Sequence, residues 1–259
     1  MLIDTHCHLD TREFDDDRDA VVGAARLAGI SGIIVPAVAP ANFAAVRECC
    51  TRYGECLPAY GIHPLYLDQV ADADLGLLRQ WLLDEMGKAK PPVAVGEIGL
   101  DFFVPGFDVV RQENFFVAQL KIARELNLPV LLHVRRAVDQ VLKSLRRINV
   151  RGGIAHAFNG SRQQADEFIR LGFKLGFGGA MTFPGSTKIR QLAVTLPLEA
   201  IVLETDAPDI PPAWLSGQRN APGELRAIAQ VLADLRALPL EQVLGATSEN
   251  ANSLFQHIP

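Results

Sequence analysis

Five of the six histidines in this chain, His6, His8, His63, His133 and His156, stand at, near or just beyond the ends of short apolar runs, and two carboxylates join them, Glu97 within a run and Asp206 at the end of one. Imidazole and carboxylate are the groups that hold divalent cations and exchange protons near neutral pH. The first pair lies in MLIDTHCHLD, residues 1–10. In an extended chain, residues two apart point to the same side, so His6 and His8 are presented together while Cys7 points away. An isolated H-x-H is equally compatible with one hydrogen-bonded core histidine beside a solvated one. His133 or His156 alone could be a core histidine, Glu97 an ion-pair member and Asp206 a helix cap. As a group they are harder to explain that way, because buried imidazoles and carboxylates without partners are costly. The sixth histidine, His257, lies in the C-terminal tail, apart from the pattern.

Imidazoles and carboxylates with no cysteine on the same face form a mixed nitrogen and oxygen donor set, suited to zinc, manganese or magnesium. Even six of these seven side chains exceed one tetrahedral complement. A two-ion centre bridged by Glu97 accounts for them, with ions about 3.5–4 Å apart.

The elements that must position these groups are legible as an alternation. Apolar, β-branched-rich runs fall at 2–6, 32–37, 57–62, 93–100, 129–134, 152–158, 173–178 and 200–206, and helical patterns at 16–28, 41–53, 72–87, 109–127, 136–148, 161–171, 186–195 and 222–256. Eight strands alternating with helices predict an α/β fold, a (β/α)8 TIM barrel, whose active sites sit at the C-terminal strand ends. The continuous apolar runs suit parallel strands covered on both faces. A doubly wound open sheet is the alternative, but no G-x-G-x-x-G or Walker A follows the first strand. At 259 residues, without linker, repeat or low-complexity segment, the chain reads as a single domain spanning 1–259.

Composition bounds the function. A 49% hydrophobic fraction supports a substantial core. No apolar run is long enough to cross a bilayer and the start does not read as a secretory signal. Cys7, Cys49, Cys50 and Cys56 form no C-x-x-C, which points to reduced thiols in a cytoplasmic protein. The net charge of −5 gives no general pull toward nucleic acid or membrane, so an anionic substrate must be held locally. The acidic run EFDDDRD at 13–19 reads as a helix start.

The ordered series DTHCHLD (4–10), GIHP (61–64), GEIGLD (96–101), HVR (133–135), HAFNGS (156–161), ETDAP (204–208), RNAP (219–222) and ENANSLF (249–255) resembles the TatD family of metal-dependent deoxyribonucleases, among the amidohydrolase-like barrels. The resemblance runs nearly end to end. It implies one ion held by His6, His8, Glu97 and Asp206 and another by Glu97, His133 and His156. Glu97 stands where many amidohydrolases use a carbamylated lysine. Ala207 and Asn159 depart from residues common in the family, which bears on phosphate or base contacts and not on metal ligands.

That resemblance implies hydrolysis of phosphodiester bonds, with two divalent ions (Mg, Mn or Zn) lowering the pKa of a water and offsetting phosphate charge. Asp206 would orient the water and accept its proton, Glu97 would bridge, and His63 would contact the substrate phosphate or leaving group. Arg135, two residues after His133, would bind phosphate if the strand persists, or make a surface ion pair. Asp101 would orient His133 or cap the next loop. Phe102, Phe103 and Phe107 would pack, or stack on bases. The acidic charge disfavours a duplex-wrapping interface and favours a single-stranded DNA end, the 3′ end by family resemblance, with no membrane and no obligate protein partner. Two other functions fit the same ligands: hydrolysis of a small amide, lactone or phosphoester, and a non-catalytic metal-stabilised binding protein.

Overall fold

The computed structural model describes residues 2–255; His257 lies outside them. Its eight strands are β1 (Leu2–Asp4), β2 (Ile30–Pro36), β3 (Cys56–Tyr60), β4 (Ala94–Asp101), β5 (Val130–Arg135), β6 (Gly153–Ala155), β7 (Phe173–Phe177) and β8 (Ile201–Leu203). They pair in parallel in chain order, β1 to β8. Hydrogen bonds beyond the strand ends bring the first and last together: Thr5 N–H donates to Leu203 O at 3.1 Å and Asp206 N–H to His6 O at 2.8 Å. The result is a nearly closed (β/α)8 barrel.

The helices between the strands are α1 (Arg18–Leu27), α2 (Phe43–Arg52), α3 (Asp74–Met86), α4 (Val109–Glu125), α5 (Val138–Arg147), α6 (Arg162–Arg170) and α7 (Thr187–Thr195), with α8 (Leu225–Arg236) and α9 (Leu240–Leu254) after β8. Their starts have local causes. The Asp108 carboxylate accepts from Val110 and Arg111 N–H to begin α4, and Ser161 with Gln164 forms a capping box for α6. Inside the barrel, Ile3, Ile34, Ala59, Ala94, Leu131, Ile154 and Val202 form an apolar plug continued by Ala251, Leu254 and Phe255 of the C-terminal segment. Asn250 reinforces this lower end by donating to Leu198 O and Ile201 O. With the bottom filled, the opposite end is the one left open for chemistry.

The strands are shorter than the apolar runs suggest. β1 stops at Asp4, β6 at Ala155 and β8 at Leu203, so His6, His8, His156 and Asp206 stand just beyond the ladder and not within it. The backbone turns there: Ala157 has φ 44° and Asp206 φ 58°, left-handed values incompatible with continued strand. The final helical region, read as continuous, breaks into α8 and α9 at Ala237, itself left-handed at φ 51°. No helix among the described residues is long and apolar enough to cross a membrane. All four cysteines are free and buried.

Candidate active site

At the C-terminal mouth of the barrel, a cavity of about 1040 Å³ is lined by His8, His63, Glu97, His133, His156 and Asp206, with Arg135 also on its wall. His6, fully buried, lies beneath. Glu97 is the hub. Its Oε2 is 3.2 Å from His6 Nε2 and 3.6 Å from His8 Nε2. Its Oε1 is 3.1 Å from His133 Nδ1, 3.6 Å from His63 Nε2 and 3.8 Å from His156 Nε2. Each carboxylate oxygen therefore faces its own set of imidazoles, as a bridging ligand must. Asp206 spans the same division: Oδ1 lies 3.7 Å from His6 and 3.8 Å from His8, and Oδ2 3.9 Å from His156.

Among the described residues, three triads of donor atoms are close enough to share an ion: His6, His8 and Glu97; His6, His156 and Asp206; and His63, Glu97 and His133. For four of the rings, all but that of His6, the group behind the ring separates a ligand from a hydrogen-bond donor. A ligating imidazole offers a bare nitrogen and gives its other N–H to an acceptor. His8 Nδ1 faces Pro36 O at 3.3 Å, His133 Nε2 faces Asp101 Oδ2 at 2.9 Å, and His156 Nδ1 lies 3.2 Å from Glu204 Oε1. Each leaves its other nitrogen toward Glu97. His63 is the reverse. Its Nδ1 accepts from Leu65 N–H at 3.1 Å, so in the neutral ring the proton sits on Nε2, the atom that faces the centre. Burial pushes His63 below its ordinary pKa, favouring that neutral form. An Nε2–H cannot ligate a cation, but it can donate to an anionic oxygen. The donor set around Glu97 thus fits divalent cations, with His63 outside it.

The electrostatics agree with this division. Burial would raise the Glu97 carboxyl, but the surrounding imidazoles overcome it and hold the group well below the usual carboxylate range. Burial pushes His8 down, yet hydrogen bonding and charge from Glu97, with Asp206, hold it up at about 9. His156 is likewise depressed by burial but held up at about 10 by Asp206 and Glu204.

Asp101 both orients His133 and shapes the next loop: Oδ2 faces His133, while Oδ1 accepts from Phe103 and Val104 N–H at 2.9 and 3.0 Å. β5 does persist to Arg135, which is exposed and has its guanidinium carbon 3.8 Å from the Phe103 ring centroid. Phe102 packs against the core, whereas Phe103 is 45% exposed.

Three buried polar residues escaped the reading of the sequence. Asp4 accepts from Thr205 Oγ1–H at 2.6 Å, from Thr205 N–H at 2.9 Å and from His6 N–H at 3.3 Å, stitching the segment that carries His6 to the one that carries Asp206. Burial raises its carboxyl to about 7 against the opposing Thr205 hydrogen bonds. Asn220 Nδ2–H donates to Thr205 O and Asp209 O, bracing the Asp206 turn. Glu204, 1% exposed, accepts from Ala157 N–H at 2.5 Å and stands behind His156. A Cβ on Gly176 would lie 2.1 Å from Glu204 Oε2, so the glycine makes room for the carboxylate. The available signal was alternation, since Glu204 and Asp206 lie two apart in an otherwise apolar run. Glu204→Gln is expected to keep the barrel but weaken divalent-ion binding by about 10- to 100-fold, the usual consequence of disturbing the partner of a ligating histidine. Calorimetric metal titration of the stripped variant checks this.

Comparison with known proteins agrees with this architecture. Residues 3–256 match the family model described as TatD related DNase. The chain is 41% identical over 255 residues to "Uncharacterized metal-dependent hydrolase YjjV" of Escherichia coli K12, covering 98% of this chain and 97% of that one. It is 31% identical over 267 residues to "Putative deoxyribonuclease TATDN3" of Mus musculus, covering 98% and 88%. The crystal structure of YjjV, a TatD homologue from Escherichia coli, superposes with a TM-score of 0.93 at 40% identity, covering 98% and 97% of the two chains. A match of this extent, on a barrel whose open end gathers the metal-capable side chains, makes the chain a member of the TatD-related DNase family of metal-dependent hydrolases.

Proposed function

We propose that the protein is a deoxyribonuclease that removes nucleotides from the 3′ end of single-stranded DNA. The observation that carries the reading is the opposition within one cavity of a carboxylate-bridged donor set and a histidine whose Nε2–H faces it. Relatives named for deoxyribonuclease activity, and the family description, support the same chemistry. His6, His8, Glu97 and Asp206 would hold one divalent ion and Glu97, His133 and His156 a second, with magnesium, manganese and zinc all compatible with these donors. Such ions supply an acidified water and charge neutralisation at the phosphate. Asp206, with one oxygen toward each imidazole set, would orient a water and accept its proton. His63 Nε2–H donates to a phosphate or leaving-group oxygen, and Arg135 at the cavity wall offers a guanidinium fork to a further phosphate oxygen. The free thiols accord with a reducing, cytoplasmic setting.

A short single-stranded oligodeoxynucleotide, end-labelled and resolved by length with each end blocked in turn, tests this. Mononucleotides released early from a free 3′ end are the expected result. Internal fragments from doubly blocked DNA would refute exonuclease action, and inertness toward DNA beside rapid lactone or amide cleavage would move the enzyme to carbonyl chemistry. Arg135→Ala should reduce the salt slope of oligonucleotide binding by about 0.7, the loss of one single-strand phosphate contact.

A further inference from the structure

We propose that Phe103, Arg135 and Arg136 form a flanking subsite that holds the phosphate next to the scissile one and stacks its base, an inference that rests on the phosphodiester reading above. All three side chains line the cavity that contains the metal-capable cluster. The two guanidinium carbons stand 3.8 and 4.8 Å from the Phe103 ring centroid. In a continuing strand, consecutive side chains would point to opposite sides. Arg136 instead has φ 54°, a left-handed turn at the end of β5 that lets both arginines reach one ring.

Their charge is available. Neither Arg135 nor Arg136 makes an ion pair among the described residues, whereas Arg219, also on the cavity wall, is tied to Asp17 at 2.6 Å. A guanidinium suits phosphate oxygens through its planar fork, and an aromatic ring that is 45% exposed, as Phe103 is, can take part in stacking with any base. A ligand satisfying both is a strand with at least two phosphates. A small ester with one phosphate reaches only the centre.

The platform is also held in register with the centre. β4 and β5 pair through Asp101 and Arg135, and Phe102 N–H donates to Arg135 O at 2.9 Å. Asp101 uses one oxygen on His133 and the other on the backbone of Phe103 and Val104. The same carboxylate that orients a candidate metal ligand therefore folds the loop that presents the ring. This fixes the spacing between the two sites, which a flexible loop would not do.

The test compares a hexathymidylate with bis(p-nitrophenyl) phosphate, a diester with a single phosphate, in the metal-loaded enzyme. Arg136→Ala and Phe103→Ala are each expected to lower the ratio of kcat/KM for oligonucleotide over diester by about tenfold, in line with the loss of one phosphate or stacking contact. Arg147→Ala, an exposed arginine on α5, is the charge control and should leave the ratio unchanged. Binding of fluorescein-labelled hexathymidylate to the Asp206→Asn protein, read by anisotropy, should weaken by a similar factor, and its salt slope should fall by about 0.7 for the arginine variant. Parallel losses on both substrates, an unchanged ratio, or no binding of the oligonucleotide would overturn the subsite. If the diester is cleaved without preference for the oligonucleotide, the subsite alone fails. If no phosphodiester is cleaved, the phosphodiester reading fails with it.

Discussion

Asp206→Asn is expected to abolish nearly all turnover, lowering kcat by a factor on the order of a hundred to ten thousand, the range contributed by a positioned general base. The fold should survive, for a reason particular to this position. Asp206 sits at φ 58°, and asparagine is among the few residues that adopt left-handed backbone readily. Its backbone contacts, to His6 O and from Asp209 N–H, do not involve the side chain. The amide is close in size to the carboxylate, but at neutral pH it cannot accept a proton, and it is a weaker cation ligand. At least one ion should therefore remain, held by the imidazoles and Glu97. Elemental analysis, thermal melting and steady-state kinetics on one preparation separate these effects. Wild-type kcat in this variant would assign proton acceptance to another group.

How much of this was visible in the sequence depends on which side chains carried a periodic signal. The eight runs announce strands because parallel barrel strands are buried on both faces and leave uninterrupted apolar stretches. His6 and His8 could be paired by alternation even though β1 stops at Asp4, since the chain stays extended enough to bring their Nε2 atoms to 3.3 Å. The ends of β6 and β8 were overestimated because the left-handed turns at Ala157 and Asp206 occur at residues with no glycine or proline to mark them. The buried supports Asp4, Glu204 and Asn220 were missed for a different reason. Each acts through contacts with distant segments, Asp4 with Thr205 and Glu204 with His156; alternation with Asp206 can mark Glu204 as facing the same side, but no spacing along the chain names its partner. His63 could be placed near the site, but its role depends on the Leu65 N–H behind its ring, which only the folded loop reveals.

Removing divalent ions should eliminate hydrolysis and lower the melting temperature together, because ligands that bind only the folded chain stabilise it by about 2.7 kcal/mol at a hundred times their Kd. Reloading should then depend steeply on pH, and the sign follows from the ligands. In the stripped protein His8 is held up at about 9 and His156 at about 10, so both rings carry protons at neutral pH and must lose them to bind a cation. Metal affinity therefore rises as pH increases through the neutral range, with protons released into solution. The stripped chain behaves oppositely. Protonation of rings raised above their ordinary 6.5 contributes stability that is fully present below that value and is lost as pH climbs through about 9 to 10. Raising pH should thus widen the gap in melting temperature between loaded and stripped protein. Calorimetry in two buffers of different ionisation heat measures proton release directly, and paired melts from pH 6 to pH 9 measure the gap. Affinity independent of pH would mean that the two histidines are already neutral before the metal arrives, and full activity in protein shown to be metal-free would remove the ions from the reaction.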